Sequence, residues 1–205
     1  MSKALTAEQS SELVIHMKPA LEMSDDQFYE FCRLNSELRI ERTAEGDIIV
    51  MPPTGGETGR KNAKLLALFV NWDGVDNSGV SFDSSTGFIL PNGATRAPDV
   101  AWVMKSRLAT LTREQKQKFI PLCPDFVLEL RSPSDSLASV KEKMEEYIAN
   151  GAQLGWLLDP MNRSVSVYHS DGRIDVLDDP ETISGDPVLP GLIVVNIRRI
   201  WEPDF

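Results

Sequence analysis

Only two cysteines and two histidines occur among the 205 residues, and Cys32 and Cys123 stand far apart without motif spacing. A Cys/His zinc site is therefore disfavoured. A disulfide scaffold is disfavoured as well, and both thiols are expected to be reduced and part-buried, as in a cytoplasmic protein. Basic charge is also scarce: 21 Lys and Arg against 31 Asp and Glu give a net charge of -10. That argues against a broad nucleic-acid-binding surface, because phosphate contacts draw on basic patches. A local basic stripe would still be compatible with the acidic total. The block from Arg107 to Lys118, which includes Arg113 and Lys116, reads as a solvated helix face. No apolar run approaches the roughly 20 residues that a membrane helix needs. MSKALTAEQSSE has no apolar stretch after its lysine, so no secretory leader is expected. Repeats and low-complexity stretches are lacking too.

What remains is an ordinary globular composition, 41% hydrophobic and 25% charged, enough for one domain. Residues 1–22 are mixed and read as an N-terminal arm, and 23–205 as a single domain. Ser24 is a suitable N-cap for a helix over DDQFYEFCRLN, with Asp25 and Asp26 in the first turn. LRIERTAEGDIIVMP reads as a hairpin. Thr54 and Glu57 have capping-box spacing. The helix that follows runs to about Trp72, with Ala63, Leu66, Ala67 and Val70 on one stripe, widened by Leu65, Leu68 and Phe69.

Two strands, GVSFDSSTGFIL and APDVAWVMKS, precede a polar helix around Thr112 to Phe119. PDFVLELRS is a strongly apolar strand. The next helix spans Ser139 to Asn150 and stops at Gly151. LGWLLDP is a core strand, RSVSVYHSDGRIDVL a hairpin about Asp171-Gly172, and LPGLIVVNIRRIW a last strand or short helix. This order predicts an α/β fold, a mixed sheet with helices on its faces.

Three segments carry candidate chemistry. Asp99 opens an apolar strand and points with Ala101 and Val103. Glu129 lies between two leucines in PDFVLELR, on the face that also carries Val127 and Arg131. An unpaired buried carboxylate costs several kcal/mol, so Glu129 needs a partner: Arg131 on the same face, or a cation shared with Asp99. On the helix, Lys143 flanks the stripe Val140, Met144, Tyr147 and Ile148 and is aimed towards the sheet, while Glu142, Glu145 and Glu146 face out. A lysine there also fits a plain role, its stem packed and its ammonium in water. Two carboxylates, a strand carbonyl and waters make a hard oxygen site suited to Mg²⁺ or Mn²⁺. Such a cation polarises a phosphodiester, and a neighbouring lysine stabilises the developing negative charge. His169, in a hairpin strand, reads as a surface residue.

The blocks MPPTGGETGRKNAKLL, RAPDVAWV, PDFVLELRSPSDSL and KMEEYIANGAQLGWLLDP, in that order, resemble the Uma-two-type family of restriction-endonuclease-like proteins over roughly residues 25–195. The resemblance implies a PD-(D/E)XK nuclease fold: a mixed central sheet flanked by helices. It implies that Asp99 is the PD aspartate, Glu129 the acid of the second strand, and Lys143 a lysine moved to the following helix. Glu57 falls where related nucleases supply a further acidic ligand, and it serves equally well as a capping-box glutamate. The sequence departs from the pattern twice. Arg131 stands two residues after Glu129 in place of lysine; it can stabilise charge but is a poor proton donor. Ser139 stands where many relatives have aspartate.

Three functional readings follow. The first is a Mg²⁺- or Mn²⁺-dependent endonuclease acting on DNA, with Asp99, Glu129 and Glu57 as candidate ligands and Lys143 and Arg131 as candidate catalytic groups. The second is a catalytically inactive binding or assembly protein on the same scaffold, its carboxylates held by Arg131 and Lys143. The third is an α/β metalloenzyme acting on another phosphate ester, which fold alone does not support. The arm and the apolar LIVVNIRRIW segment are expected to cover a second copy, giving a homodimer.

Overall fold

The central sheet is built on two strands with scarcely a polar residue between them. FVLEL and LGWLLD are buried at every position, the pattern of strands covered on both faces. In the computed structural model, which describes residues 12–202, the elements run in this order. β1 is Leu13–Ile15, α1 Asp25–Leu34, β2 Arg39–Arg42, β3 Ile48–Met51, α2 Gly56–Asp76 and β4 Gly79–Asp83. β5 is Phe88–Ile89, β6 Thr95–Arg96, β7 Val100–Met104, α3 Lys105–Ala109, α4 Arg113–Gln117, β8 Phe126–Leu130 and α5 Leu137–Ala149. β9 is Leu154–Asp159, β10 Ser164–His169, β11 Ile174–Asp178, β12 Thr182–Ser184 and β13 Ile193–Val195, followed by a 3₁₀ turn at Ile197–Ile200.

The large sheet has the order β11-β10-β9-β8-β7-β4. Only β8 and β9 pair in parallel, because α5 carries the chain across the sheet between them. A second sheet, β1-β3-β2-β6-β5, is centred on the β2–β3 hairpin. The architecture is therefore the expected α/β fold with a mixed central sheet and flanking helices.

The two faces of the large sheet bury different partners. Val100, Trp102, Phe126, Leu128 and Trp156 pack with Leu65 and Phe69 of α2 and with Ile183 and Val194 of β12 and β13. Phe69 stacks on Phe126 at 5.1 Å, and Trp156 meets Phe126 edge-on at 5.0 Å. The other face sets Ala101, Val103, Val127 and Leu157 against Met144 and Tyr147 of α5.

Several elements differ from the sequence expectation. The buried residues of α2 are Lys61, Leu65 and Phe69, while Ala63, Ala67 and Val70 are exposed. The aromatic Phe69 selects the face that docks on Phe126 and Trp156. The N-cap of α2 is Gly55, with no side-chain cap, so the Thr54–Glu57 capping box does not form. α5 begins at Leu137, because the Ser136 hydroxyl accepts from the Ser139 N–H. Of the expected N-terminal arm, residues 1–11 lie outside the described residues, whereas Leu13–Ile15 pair with β3. The C-terminal segment turns Val194, Ile197, Ile200 and Trp201 into the core shared by α2 and the large sheet and leaves Ile193 and Val195 exposed. Cys32 and Cys123 are both free. Gly151 and Gly172 take the positive φ expected at the helix stop and the hairpin turn.

Gly155, in the middle of β9, sets how closely α5 approaches the sheet. A Cβ built there would lie 2.5 Å from Met144 Cε and 3.4 Å from Val127 Cγ2. Replacing Gly155 with valine should lower stability by about 1–3 kcal/mol through overpacking. Urea denaturation followed by circular dichroism measures this; an unchanged midpoint would contradict this account of helix packing.

Candidate functional site

Strands β7 and β8 bring the two candidate acids side by side. Val100 pairs with Leu128 in antiparallel register, so Asp99 and Glu129 are the next residues on either strand. Asp99 is anchored at both oxygens: Oδ1 accepts from Asn62 Nδ2 of α2 at 2.8 Å, and Oδ2 accepts from the Leu130 N–H at 2.9 Å. Glu129 Oε1 accepts from the Tyr147 hydroxyl of α5 at 3.0 Å and faces Lys143 Nζ at 3.0 Å.

Lys143 does not end in water. Its ammonium lies between two buried carboxylates, donating to Glu41 Oε1 at 2.9 Å as well as meeting Glu129. Glu41, on β2, is 3% exposed. It also accepts from the Ala97 N–H at 3.0 Å and from Arg96 Nη1 at 3.2 Å. Arg96 in turn donates from Nε to Glu146 Oε2 at 2.6 Å. Among the described residues no three acidic, histidine or cysteine side chains converge as a ready cation cage; Lys143 stands between Glu41 and Glu129.

Burial governs the protonation of this group. Desolvation pushes Glu129 up to about 7, outweighing the lowering effect of Lys143, and the neighbouring Asp99 and Glu41 charges push the same way. Asp99 is also raised, chiefly by burial, against the Leu130 N–H and the charges of Lys143 and Arg39. Glu41 is the opposite case. Its burial would raise it, but Lys143, Arg96 and the Ala97 N–H together hold it below the ordinary carboxylate value. Burial would lower Lys143, but Glu129 and Glu41 hold it above the ordinary lysine value. The anionic forms of Glu129 and Asp99 are thus under-stabilised by the protein's own groups, and that of Glu41 is not.

Asp99, Glu129, Lys143 and Arg96 line a cleft of about 400 Å³, with Glu41 and Tyr147 buried behind it. Its walls come from the β2–β3 hairpin, the loop into α2, the ends of β7 and β8, and α5. Among the described residues, six acidic side chains (Glu12, Asp99, Glu129, Asp135, Glu142, Glu146) and three basic ones (Arg39, Arg96, Lys143) line it. Its lining is acidic.

Two candidates from the sequence do not join the cleft. Arg131 donates from Nη1 to Asp159 Oδ2 at 2.9 Å and from Nε to the Asp135 carbonyl. Strand alternation stops at Leu130, the last residue of β8, so Arg131 turns to the buried Asp159 instead of Glu129. Glu57 is exposed on the first turn of α2 and pairs with Lys61 at 2.8 Å. It is thereby engaged along its own helix and does not line the cleft. Glu146 was expected to face out, yet it is held by Arg96 against the cleft. Ser139 lines the cleft, its hydroxyl donating to the Ser136 carbonyl. His169 is half-buried and pairs with Asp175 at 2.9 Å. Glu41 and Arg96 were not anticipated. Their signal was weak: charged residues in short strands read as solvent-facing until the partner element is known.

Comparison with known proteins fits this geometry. The model of the Uma2 family, described as "Putative restriction endonuclease", matches residues 25–198. None of the curated proteins searched matches the chain. Among solved structures, the chain is similar to "a putative nuclease belonging to DUF820" from Anabaena variabilis ATCC 29413. That similarity has a TM-score of 0.71 and 20% identity, and covers 87% of this chain and 97% of the other; at that identity it speaks for the fold. With 174 consecutive residues matched by the family model, this chain belongs to the Uma2 family of restriction-endonuclease-like proteins.

Proposed function

We propose that this chain is a divalent-metal-dependent endonuclease that hydrolyses phosphodiester bonds of DNA. Asp99 and Glu129 would hold Mg²⁺ or Mn²⁺. One observation carries the reading: a buried Glu129 and a half-buried Asp99 from adjacent strands, both pushed towards their neutral forms, lie at one cleft beside an ammonium group. The donor set suits a hard cation, being oxygen only. Asn62 Oδ1, buried on the side chain that holds Asp99 and with no hydrogen-bond donor among the described residues, adds an unsatisfied oxygen to it. A cation bound there supplies Lewis acidity and neutralises charge on a phosphodiester.

The chain's own groups do the rest. Asn62 and the Leu130 N–H fix the Asp99 carboxylate, and Tyr147 fixes Glu129. Lys143 uses two of its three N–H donors on Glu41 and Glu129; the third can stabilise negative charge developing on a phosphate oxygen. A second reading, an inactive binding or assembly scaffold, is favoured by the engagement of Lys143 with two carboxylates and by the acidic lining of the cleft. The apolar side chains left exposed at β1 and at Ile193 and Val195 support pairing as a homodimer. The two free thiols support a cytoplasmic setting. No helix among the described residues is long and apolar enough to cross a membrane.

Metal binding and cleavage test the reading together. Mn²⁺ or Mg²⁺ at about a hundred times its Kd should stabilise the wild type by roughly 3 kcal/mol, seen as a higher melting temperature, and should leave Asp99→Asn unmoved. Plasmid nicking should need the metal, vanish in Glu129→Gln, and fall about 100-fold or more in Lys143→Met. A wild type with neither response would favour the inactive scaffold.

In the metal-free protein the sign of pH dependence follows from Glu129. Its folded pKa of about 7 lies above the ordinary 4.5, so the fold holds a proton that the unfolded chain releases. Stability should therefore fall as pH rises from 4.5 to 7, by at most about 1.4 kcal/mol per unit, and level off above 7. Urea midpoints across that range should show a shallower slope in Glu129→Gln, with Asp99 supplying what remains; an identical slope in the variant would refute the assignment. Light scattering should give twice the 22.8 kDa chain mass, and a monomer would overturn the pairing.

A further inference from the structure

Among the described residues three cations line the cleft, and two of them are already spoken for. Lys143 is held by Glu41 and Glu129, and Arg96 by Glu41 and Glu146. Arg39, on β2, is different. It lines the same cleft and is half-exposed. Its guanidinium makes no ion pair or hydrogen bond among the described residues, although its charge acts on Asp99.

Its placement follows from strand geometry. Side chains two apart on a strand share a face, so Arg39 stands with Glu41, the anchor of Lys143. Across the hairpin Arg39 faces Met51 and Glu41 faces Ile49; Met51 and Ile49 line the cleft as well. One face of the β2–β3 hairpin therefore forms a wall of the cleft, with a buried anion inside it and an unengaged guanidinium beside it. An arginine kept half-buried near carboxylates, with its five donors unmatched, is suited to an incoming anion with two oxygens to offer.

We propose that Arg39 grips a phosphate of the substrate backbone in the cleft beside Asp99, so that the β2–β3 hairpin is the substrate-binding wall of the site. This rests on the endonuclease reading and names the contact by which the acidic cleft receives a polyanion. Phosphate contacts position the strand without reading sequence, so the contribution of Arg39 is independent of the base sequence. Its fork matches two phosphate oxygens, which a lysine at the same place does not.

Binding separates these ideas. The full chain is titrated into fluorescein-labelled 20-base-pair duplexes of two unrelated sequences, with Ca²⁺ in place of Mg²⁺, and anisotropy is read at several salt concentrations. Arg39→Gln should weaken binding about tenfold on both duplexes and lower the slope of log K against log salt by about one. Arg39→Lys should restore the slope but only part of the affinity. Arg113→Gln, an exposed charge on α4, serves as a reference and should change neither by as much. Melting temperatures of the variants should match the wild type, since Arg39 holds no ion pair among the described residues. If the wild type binds DNA but Arg39→Gln binds equally well, or if Arg113→Gln loses as much, the Arg39 proposal fails alone. If the wild type binds neither duplex, the nucleic-acid reading fails and takes this proposal with it.

Discussion

Lys143 lies between two buried carboxylates, 2.9 Å from Glu41 and 3.0 Å from Glu129, and much of the molecule is arranged around that contact. Three elements meet there: the β2 strand of the smaller sheet, the β8 strand of the larger one, and α5. Charges taken out of water are costly unless geometry and further hydrogen bonds compensate. Here they do. Glu41 accepts from Lys143, Arg96 and the Ala97 N–H, and Glu129 from Tyr147. Removing one member would leave another charge buried and unpaired, a loss on the order of 3–5 kcal/mol. The contact therefore ties the β2–β3 hairpin to the central sheet, and the cleft is the space between them.

Within this cluster the two kinds of carboxylate are treated differently. Glu41 has cations on two sides and stays below its ordinary pKa. Glu129 shares Lys143, lies beside Asp99, and rises to about 7. Such pairs of groups, pushed apart by environment, are what functional sites contain. Glu41 has its counter-charge built in. Asp99 and Glu129 do not, and both face the cleft, which is where an added cation would do the most electrostatic work. The -10 net charge points the same way: an acidic protein on this fold meets a polyanion only through local cations, either those of its own chain or those it binds.

The fold, and the meeting of Asp99, Glu129 and Lys143 at one cleft, were legible in the sequence because each rests on a strong local contrast. Asp99 and Glu129 are carboxylates set in runs that are otherwise apolar, and Lys143 is a cation beside an apolar helical stripe. What sequence could not supply depends on where elements end and what they meet. Arg131 follows the alternation of β8 on paper but lies just past Leu130, and the buried Asp159 captures it. The apolar residues of α2 allow several stripes, and only the aromatic cluster of Phe126 and Trp156 chooses Leu65 and Phe69. Glu41 and Arg39 sit in RIER, a charged strand that reads as solvent-facing until α5 and β6 are placed against it.

The displacement of Arg131 also explains why the ammonium beside Glu129 comes from a helix. A lysine two residues after Glu129 would have to leave the end of β8 and reach back into the cleft. At that position the chain has already begun the turn through Ser132 to Asp135, held by the Ser132 and Asp135 N–H groups. Arg131 is used in that turn, bracing it against Asp159 at the end of β9. Lys143 reaches Glu129 from α5, whose register is fixed independently by Met144 under Gly155 and by Tyr147 on Glu129. The ammonium is thus placed by a packed helix and not by a strand end. A side chain held by a helix of buried neighbours is better ordered than one leaving a turn. Exchanging arginine and lysine between these positions would put a planar fork where a point charge is held by two carboxylates, and a flexible ammonium where a guanidinium spans Asp135 and Asp159.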